Sequence, residues 1–143
     1  MNKEKKGWEY LSHTADIKFK AWGKSLEGAF KNAALATIGA MTDDELTGRI
    51  KKEVVVEGKD YESLLYNFLE EIIYLLDAEE LITTEVKNIV IKTAKDKLTL
   101  NCTFMVNDSG RYEYKEHIKA ITYNDMEITN DKEKWTIQVV LDV

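Results

Sequence analysis

The sequence predicts an α+β fold in which one mixed β-sheet carries two helices on a single face, as a two-layer sandwich. Three observations support this prediction. Two long segments carry apolar residues at helical spacing, alternating segments surround them, and turn residues separate consecutive strands near the C-terminus. Strands joined by short turns pair antiparallel, whereas helices placed between the early strands indicate parallel neighbours.

The two predicted helices have recognisable starts. The first spans Leu26–Met41 and follows Ser25, whose hydroxyl can cap the amides of a first helical turn. The second spans Tyr61–Asp77 and follows Asp60, which is also a favoured cap. The second helix carries the strongest apolar stripe in the chain, so we expect it to be the main element of the core.

The strands are predicted from the alternation of apolar and polar residues. Ile17–Trp22 alternates strictly, with Lys18 and Lys20 on the polar side. Ile118–Tyr123 is expected to form a later strand, and the last strand alternates over Trp135–Asp142. Because chain ends usually fray, a pattern that continues this far predicts a C-terminus held in the sheet.

Composition restricts the classes of protein to which the chain can belong. Its 143 residues predict one domain spanning 1–143, and the net charge of -6 argues against a protein that binds nucleic acid by neutralising phosphates. No apolar run approaches the roughly 20 residues of a membrane span, and no apolar segment follows the basic N-terminus as it would in a signal peptide. The lone Cys102 excludes an intrachain disulfide and favours a reducing, cytoplasmic location.

Two reactive side chains are interpreted as structural. Cys102 shares an apolar stripe with Leu100 and Phe104, which is typical of a buried core thiol rather than a nucleophile. His117 precedes a predicted strand and has no evident partner in the sequence.

Asp16 and Asp142 are the carboxylates that the scaffold explains least. Asp16 directly precedes a strand, a position that suits a turn residue as well as a metal ligand or an acid. Asp142 adjoins the carboxylate of Val143, and two carboxylates held together repel unless protons or a cation neutralise them. A hard divalent cation takes such oxygen ligands, while a solvated chain end is the alternative. His13 is a candidate ligand, a candidate base or a donor to Asp16.

Short motifs along nearly the whole chain resemble the archease family. The segment Ser12-His13-Thr14-Ala15-Asp16-Ile17 resembles the family's N-terminal motif, which usually reads Asp-His-Thr-Ala-Asp. Further similar segments follow in the family's order: Gly23–Glu27, Ala29-Phe30, Met41–Asp43, Leu64-Leu65, Phe68–Glu71, Tyr74-Leu75, Glu116–Tyr123, Trp135 and Val140–Val143. Three residues depart from the usual pattern, since Ser12 replaces an Asp, Lys18 a Gly and Asn124 a His. The loss of the first Asp removes one potential oxygen ligand and leaves Asp16 in place.

This resemblance implies a function that composition does not reveal. It implies an accessory protein, not an enzyme, that activates the GTP-dependent RNA ligase of tRNA splicing and RNA repair by promoting guanylylation and multiple turnover. It also implies a divalent cation, expected to be Ca²⁺, bound by Asp16, Asp142 and the carboxylate of Val143. Lys119 and His13 are the expected partner contacts or outer donors.

Two other functions remain open at this point. The resemblance also allows a chaperone-like modulator of a tRNA cytosine methyltransferase. A metal-dependent hydrolase using Asp16, His13 and Asp142 is the other alternative, and it requires an open coordination position and a base within reach. The inactivity of the protein alone with GTP and RNA, together with a gain in ligase turnover on its addition, would separate the activator from the enzyme.

Overall fold

A computed structural model describes residues 6–12 and 15–143 of the chain. Its elements are, in order, β1 (Trp8–Leu11), β2 (Ile17–Gly23), α1 (Leu26–Met41), β3 (Ile50–Gly58), α2 (Tyr61–Glu79), β4 (Leu81–Ala94), β5 (Lys97–Asp108), a short 3₁₀ turn (Ser109–Arg111), β6 (Ala120–Asn130) and β7 (Trp135–Asp142). No helix within these two ranges is both long enough and apolar enough to cross a membrane.

The strands form two antiparallel sheets, so the predicted α+β class is confirmed but the single mixed sheet is wrong. The four-stranded sheet has the order β1-β2-β7-β6, and the three-stranded sheet has the order β3-β5-β4. β3 and β4 run in the same direction, as the intervening helix requires, but β5 lies between them and pairs antiparallel with both. The two strands on either side of α2 are therefore parallel to each other, as expected, but they are not neighbours in the sheet.

The helices connect the two sheets instead of lying on one face of a single sheet. Helix α1 contacts β1, β2 and β7 of the four-stranded sheet and β4 of the other, whereas α2 contacts β6 and all strands of the three-stranded sheet. Three fully buried rings join these layers, because Phe68 of α2 lies 5.8 Å from Phe30 of α1 and 5.9 Å from Phe104 of β5, measured between ring centroids. The expectation that the second helix forms the main core element is confirmed.

The predicted helix starts are confirmed by their caps. The hydroxyl of Ser25 accepts a hydrogen bond from the amide of Gly28 at 3.0 Å, and a carboxylate oxygen of Asp60 accepts one from the amide of Ser63 at 2.8 Å. This backbone hydrogen bond lowers the pKa of Asp60, because it stabilises the charged form. Helix α1 has the predicted bounds, while α2 continues to Glu79.

Strand β6 differs most from its predicted span. It starts at Ala120 and not at Ile118, and it continues to Asn130 through a large bulge. Thr122 pairs with Val140 but Glu127 pairs with Gln138, so residues 123–126 leave the ladder. The sequence pattern of this segment therefore breaks in the middle, which is why alternation identified only its first part.

Candidate functional site

The register of the four-stranded sheet brings the two singled-out aspartates to the same end of the sheet. Ile17 of β2 pairs with Leu141 of β7, so Asp16, which precedes Ile17, and Asp142, which follows Leu141, lie at the same end of this antiparallel pair. On the other side of β7, Asp142 pairs with Ala120 of β6. Residues 126 positions apart in the chain thus lie at the same end of one sheet. Both aspartates are partly buried.

The end of the chain is tied into the sheet, as its alternation predicted. Strand β7 extends through Asp142, and the amide of Lys119 donates a hydrogen bond to the carbonyl of Asp142 at 2.7 Å. Val143 packs against the core, as does the fully buried Leu141. Lys119 itself is exposed and follows the buried Ile118. Its main chain therefore supports the last strand, whereas its side chain is exposed at the surface.

A cleft of about 390 Å³ opens beside Asp16. Besides Asp16, its polar lining consists of Tyr10, Ser12, Lys115 and Glu116. Burial raises the pKa of Tyr10 to about 12, so the phenol stays protonated and donates a hydrogen bond to the carbonyl of Ala36 at 2.7 Å. No sequence pattern singled out Tyr10 or Lys115, because their place in the cleft depends on contacts between distant segments.

One such contact positions residues 112–118, here called the strap, which run from the three-stranded sheet towards β6. The amide of Lys115 donates a hydrogen bond to the carbonyl of Met41 at 2.8 Å, and Nζ of Lys115 lies 2.6 Å from Oδ1 of Asp43. The strap is therefore held against the C-terminal end of α1, where Glu116 and Lys115 complete the cleft. Glu116 belongs to a segment that the family resemblance had selected, but its place beside Asp16 follows from this anchoring.

The chemistry of the donor set fits a hard divalent cation. The predicted ligands Asp16, Asp142 and the carboxylate of Val143 would provide oxygen atoms only, which would suit Ca²⁺ better than softer metals. Among residues 6–12 and 15–143, no three His, Cys, Asp or Glu side chains form a group that could hold a metal ion. A site with three protein ligands from the predicted set therefore depends on the carboxylate of Val143 in addition to the two aspartates.

The structure describes only one of the two histidines of the chain. His13, the predicted ligand or outer donor, lies outside the described residues. His117 is exposed, with Nε2 at 3.5 Å from Oδ1 of Asp77. Both residues of this pair line a second cavity of about 410 Å³ together with Tyr114 and Glu116. His117 thus has a partner that the sequence did not indicate, because the contact joins α2 to the distant segment before β6.

Cys102 is buried in the core, as predicted. Its side chain belongs to the inner face of β5, and only 3% of the residue is exposed. Burial raises the pKa of its thiol to about 12, and the nearby Glu53 and Glu71 act in the same direction. The thiol is therefore a poor nucleophile near neutral pH, since the thiolate is the reactive form.

Sequence comparisons find similar proteins along nearly the whole length of the chain. The model of the "Archease protein family (MTH1598/TM1083)" matches residues 8–143. Protein archease of Methanosarcina barkeri is 38% identical over an alignment that covers 100% of both chains. Protein archease of Pyrococcus abyssi is 40% identical over 96% of this chain and 99% of the relative.

Solved structures share the same fold. The solution structure of Methanobacterium thermoautotrophicum protein 1598 has a TM-score of 0.82 and 33% identity, covering 96% of this chain and 99% of that one. A Thermotoga maritima crystal structure described as an archease and possible chaperone has a TM-score of 0.60 at 19% identity, covering 93% and 94%, and it supports the fold alone. On the family match and the full-length relatives, this chain belongs to the archease family.

Proposed function

We propose that the protein is an accessory activator of a GTP-dependent RNA ligase that acts in tRNA splicing and RNA repair. It promotes guanylylation of the ligase and restores multiple turnover, and it does not join RNA itself. The observation that carries the proposal is the juxtaposition of Asp16, from the N-terminal family motif, with Asp142 at the last strand's end.

The proposal includes a Ca²⁺ site formed by Asp16, Asp142 and the carboxylate of Val143. Three carboxylates in a small volume favour a divalent cation, which removes their mutual repulsion. A bound cation would supply open coordination positions for an oxygen ligand of the partner. Asp142 is the last residue of β7 and leads directly to Val143, and the loop before β2 brings Asp16.

Charge supports a protein partner more than direct binding of RNA. The net charge of -6 disfavours contact with a phosphate backbone, since such binding depends on neutralisation by Lys and Arg. Lys119 is exposed, and its amide binds the carbonyl of Asp142, so its side chain leaves the backbone at the same end of the sheet as the aspartates. Lys119 and His13 are therefore the proposed partner contacts, whereas RNA is left to the ligase.

The test combines the protein with its ligase, GTP and broken RNA under multiple-turnover conditions. We expect the protein alone to join no RNA, and catalytic amounts of it to raise both ligase guanylylation and the number of joining events per ligase. Asp16→Asn keeps the side-chain volume but weakens the cation ligand, so it should reduce stimulation. Lys132→Ala changes the turn before β7, at the other end of that strand, and serves as the surface control.

Each alternative predicts a different result. A metal-dependent hydrolase would consume GTP or RNA without the ligase, and that activity would be lost in Asp16→Asn. A chaperone-like modulator would leave ligase turnover unchanged and would instead alter the solubility or site selection of a tRNA cytosine methyltransferase. Either outcome would contradict the activator proposal.

A further inference from the structure

The outward face of the four-stranded sheet carries a lysine close to the end of the sheet where Asp16 and Asp142 lie. Side chains alternate along β7, so Asp142 lies on the same face as Val140, and Asp16 precedes Lys18 by two residues in the chain. Lys18 pairs with Val140 of β7, and Asp142 is therefore its diagonal neighbour across the strands. Residues two apart on one strand, or diagonal across a pair, are about 7 Å apart, which a lysine side chain can span.

In this structure the ammonium group of Lys18 is bound elsewhere. Its Nζ lies 3.6 Å from Oδ2 of Asp125, in the bulge of β6. The side chain of Lys18 is only 21% exposed, whereas that of Asp125 is 61% exposed. Val140 and Gln138 on the same face are buried. The lysine therefore lies in a partly covered environment, where its charge is screened less than on an open surface.

The bulge that carries Asp125 is fixed to the neighbouring strand. The side-chain amide of Gln138 donates a hydrogen bond to the carbonyl of Asp125 at 2.9 Å, and the hydroxyl of Thr122 donates one to the carbonyl of Val140 at 2.9 Å. Asp125 itself has a left-handed backbone with φ of 54°. Such a conformation in a residue other than glycine costs energy, and these contacts hold it in place.

We propose that Lys18 and Asp125 set the cation affinity of the site formed by Asp16, Asp142 and the carboxylate of Val143. This inference depends on the proposed function, because it concerns the same cation. Lys18 opposes cation binding through its positive charge, and Asp125 limits that effect by holding the ammonium group away from the carboxylates. Loss of the tether lets Lys18 reach the carboxylates and compete with the cation for them.

Coulomb's law gives the size of the effect. A single positive charge roughly 8 Å from a divalent cation weakens its binding roughly threefold to fivefold at an effective dielectric constant near that of water, and this effect falls as salt is added. Lys20 lies on the same face but two residues further from the site, at roughly 13 Å from Asp16, beyond the Debye length of about 10 Å at 0.1 M salt. Lys20 is therefore a matched control for charge removal.

The experiment titrates Ca²⁺ into the full-length protein by calorimetry at about 0.1 M salt, with circular dichroism to confirm that each variant folds. Lys18→Met should lower the Kd for Ca²⁺ roughly threefold to fivefold, and Lys20→Met should leave it nearly unchanged. At about 1 M salt the difference should nearly disappear. Asp125→Asn should weaken binding, and it should do so more in the wild-type chain than in a Lys18→Met background.

The opposite results have distinct meanings. Equal Kd values for the wild type, Lys18→Met and Lys20→Met would overturn the role of Lys18 while leaving the cation site standing. An Asp125→Asn effect of the same size in both backgrounds would overturn the tether, because the loss would then be that of a distant negative charge. Absence of Ca²⁺ binding in the wild type and in Lys18→Met would overturn the cation site together with this inference.

Discussion

Lys119 joins the structural and the proposed functional parts of the site in one residue. Its amide supports the last strand through Asp142, but its side chain extends from the surface. Replacement by Ala preserves the amide, so only the side-chain function is removed. A residue of this kind separates stability from partner activation.

We expect Lys119→Ala to change the free energy of unfolding by less than about 0.5 kcal/mol, as surface substitutions do. Ligase stimulation should fall, because the exposed ammonium group proposed to contact the partner is lost. The measurements are urea unfolding and multiple-turnover RNA joining, with Lys132→Ala as the control. Full stimulation by Lys119→Ala would show that the side chain is only a solvated strand-end lysine.

The raised pKa of Cys102 predicts a thiol that is quiet in the native state and a specific dependence of stability on pH. Native protein should react slowly with a thiol reagent up to about pH 9, and denatured protein should react fast, because unfolding restores the ordinary thiol pKa. Above the unperturbed value of 9.0, the unfolded chain releases a proton that the folded chain retains up to about 12. The thiol's contribution to the free energy of unfolding is therefore fully present below pH 9.0 and is lost as the pH rises from 9.0 to about 12.

Cys102→Ala provides the control for this pH effect. At neutral pH the variant should be less stable than the wild type, because a buried side chain has been shortened. The difference should narrow as pH rises above 9.0, because only the wild type loses the contribution of the thiol. Rapid labelling of the native wild type, or a difference that is constant with pH, would contradict the buried, protonated thiol.

Helix α2 is the element on which the core depends most, since Phe68 contacts aromatic rings from α1 and β5. Phe68→Ala should lower the free energy of unfolding by about 2–5 kcal/mol, the range for large-to-small changes in a core. Tyr74→Ala changes the same helix at a position that is 51% exposed, so its effect should be much smaller. Urea unfolding measures both, and a Phe68→Ala effect below about 0.5 kcal/mol would refute this assignment of the core.

The helices were predictable because the residues that start them and the spacing of their apolar residues lie within the helical segments or directly beside them. Ser25 and Asp60 cap the starts that the sequence indicated, and only the end of α2 differed, at Glu79 instead of Asp77. Strand pairing is not local: the sequence showed that β3 and β4 flank a helix, but nothing in its periodicity indicated that β5 would lie between them. The single mixed sheet was therefore wrong although most of its strands were correctly located.

The candidate site also combines features that local sequence predicts with features that depend on strand pairing. The family motif selected Asp16, and the apolar pattern of the last strand selected Asp142, so their positions were available from sequence. The register between β2 and β7 then brought them to one end of the sheet, which no motif encodes. The pair formed by Lys18 and Asp125 was not predictable, because it depends on the bulge of β6.

Across the molecule, the four-stranded sheet collects three distant parts of the chain at one end. The loop before β2 contributes Asp16, the end of β7 contributes Asp142 and Val143, and the segment before β6 contributes Lys119. The helices and the three-stranded sheet stabilise this arrangement from the other side through the shared core. Activation of a ligase would thus depend on an assembled end of the sheet and not on a single loop.

A chain extended by a few residues after Val143 tests whether the carboxylate is a cation ligand, since the extension converts it to an amide with only a neutral carbonyl. Calorimetric titration with Ca²⁺ should show binding weakened at least tenfold relative to the unextended protein, a loss of about 1.4 kcal/mol. The thermal unfolding of the two proteins without Ca²⁺ should be similar, because no core position changes. Unchanged Ca²⁺ affinity in the extended chain would contradict a site that includes the carboxylate of Val143.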